Sequence, residues 1–203
     1  MNRYEELART VVIHKKNRLM RYSDALELVG KGRSAFVFRI KSSDKAIKLF
    51  FPGFMHLAKE EAEIYHVLQN ISYYPNIYGA GLNYIVIDYI EGLTLFDCIA
   101  QGQLIRPNHI KEIDYALLLA SKQGLNPSDI HLRNIFLTTN GDIKLIDVAR
   151  FRQQKNCAQW NNLKKAYEQL YRKRFFPKKI AATYLNGIAF LYKKGFIPSY
   201  RMK

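Results

Sequence analysis

Two polar residues stand where the pattern calls for apolar ones, and together they restrict the fold more than any other feature of the chain. Lys48 lies in the run Ala46-Ile47-Lys48-Leu49-Phe50, which alternation and β-branching read as a strand, and an ammonium there loses its hydration. Thirteen residues later Glu61 falls on a helical stripe with Leu57, Ile64 and Leu68, at spacings of four, three and four. A lone carboxylate on an apolar stripe needs a cation inside the fold, and Lys48 needs an anion. The strand must therefore pack on the helix so that the two meet. Glu60 is the fallback partner, and Glu63 lies further round the helix.

Strand and helix signals alternate around this pair. Tyr4 to Thr10 reads as a helical turn, followed by Val11-Val12-Ile13 and the basic patch Lys15-Lys16-Asn17-Arg18. Leu26 to Val29 and Phe36 to Ile40 read as strands flanking Gly30-Lys31-Gly32-Arg33-Ser34-Ala35. Met55 to Asn70 reads as the helix that carries Glu61, and Ile77 to Gly81 and Tyr84 to Tyr89 as two further strands before Glu91-Gly92 breaks the pattern. Asn108 is placed to cap a helix running to Gln123 and ended by Gly124. Ile135-Phe136-Leu137 and Ile143-Lys144-Leu145-Ile146 then flank Thr138 to Asp142, where Asn140-Gly141 supplies the positive φ angles of a tight hairpin. Two helices complete the chain, near Trp160 to Lys173, with Trp160, Leu163, Tyr167 and Leu170 on one side, and near Lys178 to Lys194.

At 203 residues and 48% hydrophobic content the chain can bury one core, or two small lobes sharing one. It contains no apolar run long enough for a membrane span and opens without the apolar core of a signal peptide, which gives the expectation of a soluble, cytoplasmic protein. Cys98 and Cys157 lack the spacing of a zinc site or a disulfide framework. The net charge of +15 is unevenly spread: residues 150–203 hold fourteen Lys and Arg against one acidic residue, whereas residues 51–149 hold six against eleven. Such a basic end attracts polyanions, whether nucleic acid, an anionic membrane surface or an acidic partner protein.

The motifs fall in one order. Gly30-Lys31-Gly32-Arg33-Ser34-Ala35-Phe36-Val37 matches GxGxxGxV with Ala35 in the third glycine position, and Ala46-Ile47-Lys48 matches the end of VAIK. Asp129-Ile130-His131-Leu132-Arg133-Asn134, the hairpin and Asp147-Val148-Ala149 follow, with steps of five from Asp129 to Asn134 and thirteen from Asn134 to Asp147. In the kinase-like proteins that such motifs resemble, phosphoryl transfer needs a carboxylate at the acceptor hydroxyl and oxygen ligands for a metal on the phosphates, which explains the residue types.

This constellation resembles the protein-kinase-like superfamily, nearest to small bacterial serine/threonine kinases and to minimal atypical kinases of the RIO, Bud and lipopolysaccharide-kinase types. The resemblance covers roughly residues 25–170. It implies an α+β, two-lobed protein-kinase-like fold: an amino-terminal extension over 1–24, a small antiparallel-sheet N-lobe over 25–90, and a truncated helical C-lobe over 91–203 with basic carboxy-terminal helices. It implies ATP and Mg²⁺ in the cleft, bound by Gly30, Gly32, Ala35, Val37 and Lys48, with adenine against the backbone of Asp88 and Ile90. Glu61 would hold Lys48, Asp129 would serve the acceptor, and Asn134 and Asp147 would bind the metal. The implied reaction is transfer of the γ-phosphate to Ser or Thr of a protein.

Departures from the family pattern are informative. Pro127-Ser128 replaces the His-Arg before the catalytic aspartate, Val148-Ala149 replaces Phe-Gly, and residues 150–159 contain no Ser, Thr or Tyr, so control by activation-loop phosphorylation is not expected. His131 resembles the loop of aminoglycoside and choline kinases, which keeps a small-molecule or sugar kinase as an alternative. A pseudokinase that binds nucleotide as a switch, with a polyanion-binding basic tail, is the other.

Overall fold

Alternating aromatic and β-branched residues build the sheet of the first half of the chain. The computed structural model describes residues 2–154 and 157–196, and the protein divides into two compact units, one of residues 1–90 with 147–149 and one of 91–146 with 150–203. Helix α1 (Arg3–Thr10), capped by the Asn2 side chain, is followed by the hairpin β1 (Val12–His14) and β2 (Arg18–Arg21). Strands β3 (Leu26–Lys31), β4 (Ala35–Ile40), β5 (Lys45–Phe50), β6 (Ile77–Ala80) and β7 (Tyr84–Asp88) form one antiparallel sheet in the order β3-β4-β5-β7-β6. The central strand β5 is buried from Ala46 to Phe50, with neighbours on both edges. Ala8 of α1 packs into the core formed by Leu26, Phe36, Phe38, Ile47 and Val86, and Tyr4, Leu7, Val11 and Ile13 lie against it. Residues 3–21 are thus seated on the sheet. Helix α2 (His56–Val67) packs on β6 and β7, burying Ala58, Glu61, Ala62, Ile64 and Tyr65.

In the second unit β8 (Gly92–Thr94), β9 (Ile135–Thr138) and β10 (Ile143–Leu145) form a three-stranded antiparallel sheet. Around it lie α3 (Leu95–Gln101), α4 (Pro107–Lys122), α5 (Gln159–Ala166) and α6 (Ala182–Lys193). Sequence patterning left β8 and α3 unread: Gly92 takes φ +153° on strand β8, where a Cβ would lie 2.3 Å from the Leu137 carbonyl oxygen, so the glycine serves a close backbone approach. The α4 helix begins at Pro107, whose fixed φ suits a first helical position, and Asn108 lies inside the first turn, where it bonds Glu112. In the β9–β10 turn only Gly141 is left-handed, at φ +89°, and Asn140 is not, so the turn is longer than the two-residue type. The helix expected through Lys173 passes at Tyr167 into a wider π-turn, with Arg172 N–H bonded to the Tyr167 carbonyl. Leu170 is consequently 42% exposed, and Tyr171 is buried in its place. Tyr167 and Tyr171 stack, the first donating to the Ile105 carbonyl and the second accepting its N–H.

Among the described residues no helix is long and apolar enough to cross a membrane. Of the basic carboxy-terminal stretch, Arg172, Lys173, Arg174, Lys179, Lys193 and Lys194 are exposed, and Lys155, Arg201 and Lys203 lie outside the described residues.

Candidate active site

Cross-strand register lines up the amino-terminal motif. Gly30 pairs with Val37, and Val37 with Lys48, so the three share one face across β3, β4 and β5. A bulge at Val29, between Leu28 and Gly30, bends β3 just before the turn, which the Gly32 N–H closes on the Ala35 carbonyl at 2.9 Å. Gly30 and Gly32 do not need glycine for their own conformation. Neither has a positive φ, and a Cβ would meet only ordinary contacts, 3.6 Å from Val37 at Gly30 and 3.7 Å from the Ala35 oxygen at Gly32. What the missing side chains leave is bare backbone, which lets another group approach the N–H dipoles closely.

Lys48 and Glu61 meet as the sequence requires. The Lys48 ammonium donates to both Glu61 carboxylate oxygens at 2.8 and 2.7 Å and to Asp147 Oδ1 at 2.9 Å. Glu61 is wholly buried and Lys48 is 9% exposed, whereas the Asp147 side chain is 45% exposed; Glu60 is exposed and takes no part. Burial works against the ammonium, yet Glu61 and Asp147 outweigh it and hold Lys48 charged above its ordinary range. Burial pushes the Glu61 carboxyl up to about 7 against the pull of Lys48, and the Asp147 charge adds to the rise. Two carboxylates thus share the Lys48 ammonium.

Tyr65, one turn after Glu61, was not singled out by patterning. It is fully buried, its hydroxyl has no hydrogen bond of good geometry, and burial lifts the phenol well above its usual range, with the Glu61 and Asp147 charges adding to the effect and the nearby Asp147 backbone opposing it.

In the second unit, Asp129, His131 and Asn134 lie on the loop before β9. Asn134 Nδ2 donates to the Asp129 carbonyl at 3.2 Å and its N–H to the His131 carbonyl at 2.9 Å; its own carbonyl accepts from Ile146, the residue before Asp147. With Nδ2 committed, the amide oxygen is the atom Asn134 offers a cation. Ser128 is buried with its hydroxyl donating to the Asn126 carbonyl. Arg133 is held away from the carboxylate, stacked 3.5 Å above the Phe96 ring and bonded to Asn186. His131 Nε2 stands 4.0 Å from Asp129 Oδ1, and Arg150 Nε stands 3.5 Å from Oδ2. Both candidate aspartates, Asp129 and Asp147, take φ +60°, a left-handed conformation that an ordinary side chain rarely adopts. Neither that strain nor the approach of Arg150 is written in the spacing of the motif.

Asp88 is pinned by its side chain, which accepts from Asn76 N–H at 2.7 Å and from the Tyr78 hydroxyl at 2.7 Å. Its N–H donates to the Asn76 carbonyl at 3.1 Å, so only the Asp88 carbonyl and the backbone of Ile90 are left for a ligand. An open groove of about 490 Å³ between α4 and α5, lined by Pro107, Ile110, Asp114, Lys164 and Glu168, contains none of these residues. Among the described residues no three His, Cys, Asp or Glu side chains could hold a metal by themselves.

A Bacillus subtilis protein named "Putative serine/threonine-protein kinase YrzF" is 46% identical over 199 residues, covering 96% of this chain and 93% of that protein. A Clostridium perfringens protein named a probable serine/threonine-protein kinase is 27% identical over 197 residues, 86% of this chain and 27% of its own length. A Streptomyces coelicolor protein of the same description is 31% identical over 73 residues, 34% of this chain and 11% of its own length. No protein-family model matches the chain.

Proposed function

The chain belongs to the protein-kinase-like superfamily, among relatives named as bacterial serine/threonine kinases, and on that premise we propose that it moves the γ-phosphate of ATP to a serine or threonine hydroxyl of a protein. The observation that carries this reading is the Lys48 ammonium, held between Glu61 and Asp147 at 2.7 to 2.9 Å. Asp147 in the first unit and the Asn134 amide in the second each present a hard oxygen donor, the kind suited to an ion that also takes phosphate oxygens. Mg²⁺ and ATP fit donors of this kind, and the metal would supply neutralisation of phosphate charge.

In this reading the backbone of Gly30 and Gly32 meets the phosphates and Lys48 fixes them, with Glu61 holding Lys48 in place. Asp129 orients the acceptor hydroxyl and takes its proton as the oxygen bonds to the γ-phosphorus. The bond from phosphorus to the β–γ bridging oxygen breaks, and ADP leaves with that electron pair. The test is incorporation of labelled phosphate from ATP and Mg²⁺ into one acidic and one basic acceptor protein, comparing wild type with Lys48→Ala and Asp147→Asn. Loss of about a hundredfold or more in both variants is expected. Equal incorporation by all three forms would refute the assignment.

His131, 4.0 Å from the Asp129 carboxylate, favours a second reading in which the acceptor is a sugar or aminoglycoside hydroxyl. A panel of those compounds in the same assay separates the two.

A further inference from the structure

Asp129 is flanked by nitrogen bases from two directions. His131 reaches toward Oδ1 from the loop itself, and Arg150, twenty-one residues on, reaches Oδ2 through Nε with its side chain 55% exposed. A guanidinium carries five N–H donors and no acceptor, and its contact with Asp129 is an ion pair at 3.5 Å through Nε. Arg150 is thus only loosely held by Asp129 and keeps a fork able to take a carboxylate in two parallel hydrogen bonds. The charge of the whole unit points the same way. Residues 91–146 and 150–203 hold nineteen Lys and Arg against seven Asp and Glu, while the first unit holds thirteen against ten. A lysine-flanked acceptor would meet like charge at Arg150 and across the unit that carries Asp129.

Resting on the phosphotransferase reading, we infer that the acceptor hydroxyl lies in an acidic segment and that Arg150 determines this specificity. A carboxylate beside the acceptor hydroxyl takes the guanidinium away from Asp129. Asp129 Oδ2, released from Arg150, then accepts the hydroxyl proton. An acceptor without that carboxylate leaves Arg150 on Asp129 and is turned over poorly. Arg150 in this way couples recognition of the acceptor to release of the base.

The experiment uses the full chain with Mg²⁺ and ATP and two serine peptides of equal length, one flanked by aspartates and one by lysines. Steady-state constants are measured for wild type, Arg150→Gln and Arg150→Glu, with ATP affinity measured separately. Wild type should favour the aspartate-flanked peptide by about tenfold or more in kcat/KM. Arg150→Gln should remove most of that preference, largely through KM, and Arg150→Glu should reverse it, a result that loss of structure cannot produce. ATP affinity should stay within about twofold throughout. Equal or better use of the lysine-flanked peptide by wild type overturns the inference and leaves the phosphotransferase reading standing. Loss of ATP affinity in both variants also overturns it, because Arg150 would then serve the nucleotide. If no phosphate reaches either peptide, the acceptor proteins or the chain itself, the reading falls and takes this inference with it.

Discussion

Replacing Lys48 by Met should unsettle the first unit in a way that depends on pH. The substitution keeps the aliphatic stem and removes the ammonium that lies 2.7 and 2.8 Å from a wholly buried carboxylate. Glu61 then sits in low dielectric beside Asp147 without a cation, and at pH 7 it takes a proton in preference to staying charged. Below pH 7 wild type already holds Glu61 neutral at a cost relative to its ordinary 4.5, so the extra cost in the variant lies above about 7, where Lys48 stabilises the carboxylate. Breaking a buried pair by removing one partner costs roughly 3 to 5 kcal/mol. The sign follows from the raised value: the variant's deficit is fully present well above 7, where wild-type Glu61 is charged, and shrinks as pH falls below it. Thermal melts followed by far-ultraviolet circular dichroism should therefore show Lys48→Met lowered by about 6 to 12 °C at pH 9, at roughly 2 to 4 °C per kcal/mol, and by only a few degrees at pH 5. Glu61→Leu added to Lys48→Met should recover most of the loss. A deficit equal at both pH values, or additive in the double variant, would refute the buried-charge account.

Three further outcomes follow from the same geometry. Activity should fall as pH drops through about 7, because Glu61 loses the charge that holds Lys48, and Glu61→Gln should flatten that acid limb of the kcat/KM profile while lowering the plateau. Gly32→Ala should leave the melting temperature within about 2 °C, since the new Cβ meets only ordinary contacts, while weakening ATP binding about tenfold in a fluorescent-nucleotide titration; unchanged ATP affinity would detach this turn from the phosphates. Tyr65→Phe removes a buried hydroxyl that makes no good hydrogen bond, so urea denaturation should show a gain of up to about 1 kcal/mol, and a clear loss would reveal a partner for that hydroxyl.

What could be read in the chain was what broke a pattern. Lys48 and Glu61 each contradict their apolar surroundings, and that contradiction located their contact across thirteen residues. Features that break no pattern stayed hidden. Gly92 resembled an interruption because its close approach to Leu137 depends on a strand more than forty residues away. Leu170 and Tyr171 are both apolar enough to be buried, and only the extra width of the π-turn decides between them. Asp129 was placed by motif spacing, yet its left-handed backbone and the arrival of Arg150 at its carboxylate come from tertiary packing, which spacing does not encode.

Trp160 is the single tryptophan of the chain, buried in the second unit with its indole N–H donating to Asp114 Oδ1 at 2.7 Å. The first unit has none, so red-edge excitation addresses one half of the molecule alone. As that hydrogen bond breaks and the indole meets water, its emission moves to longer wavelength, whereas far-ultraviolet dichroism registers the secondary structure of both halves together. The intact chain thus carries two optical clocks, and the order in which its halves come apart can be timed without cutting it or attaching a dye.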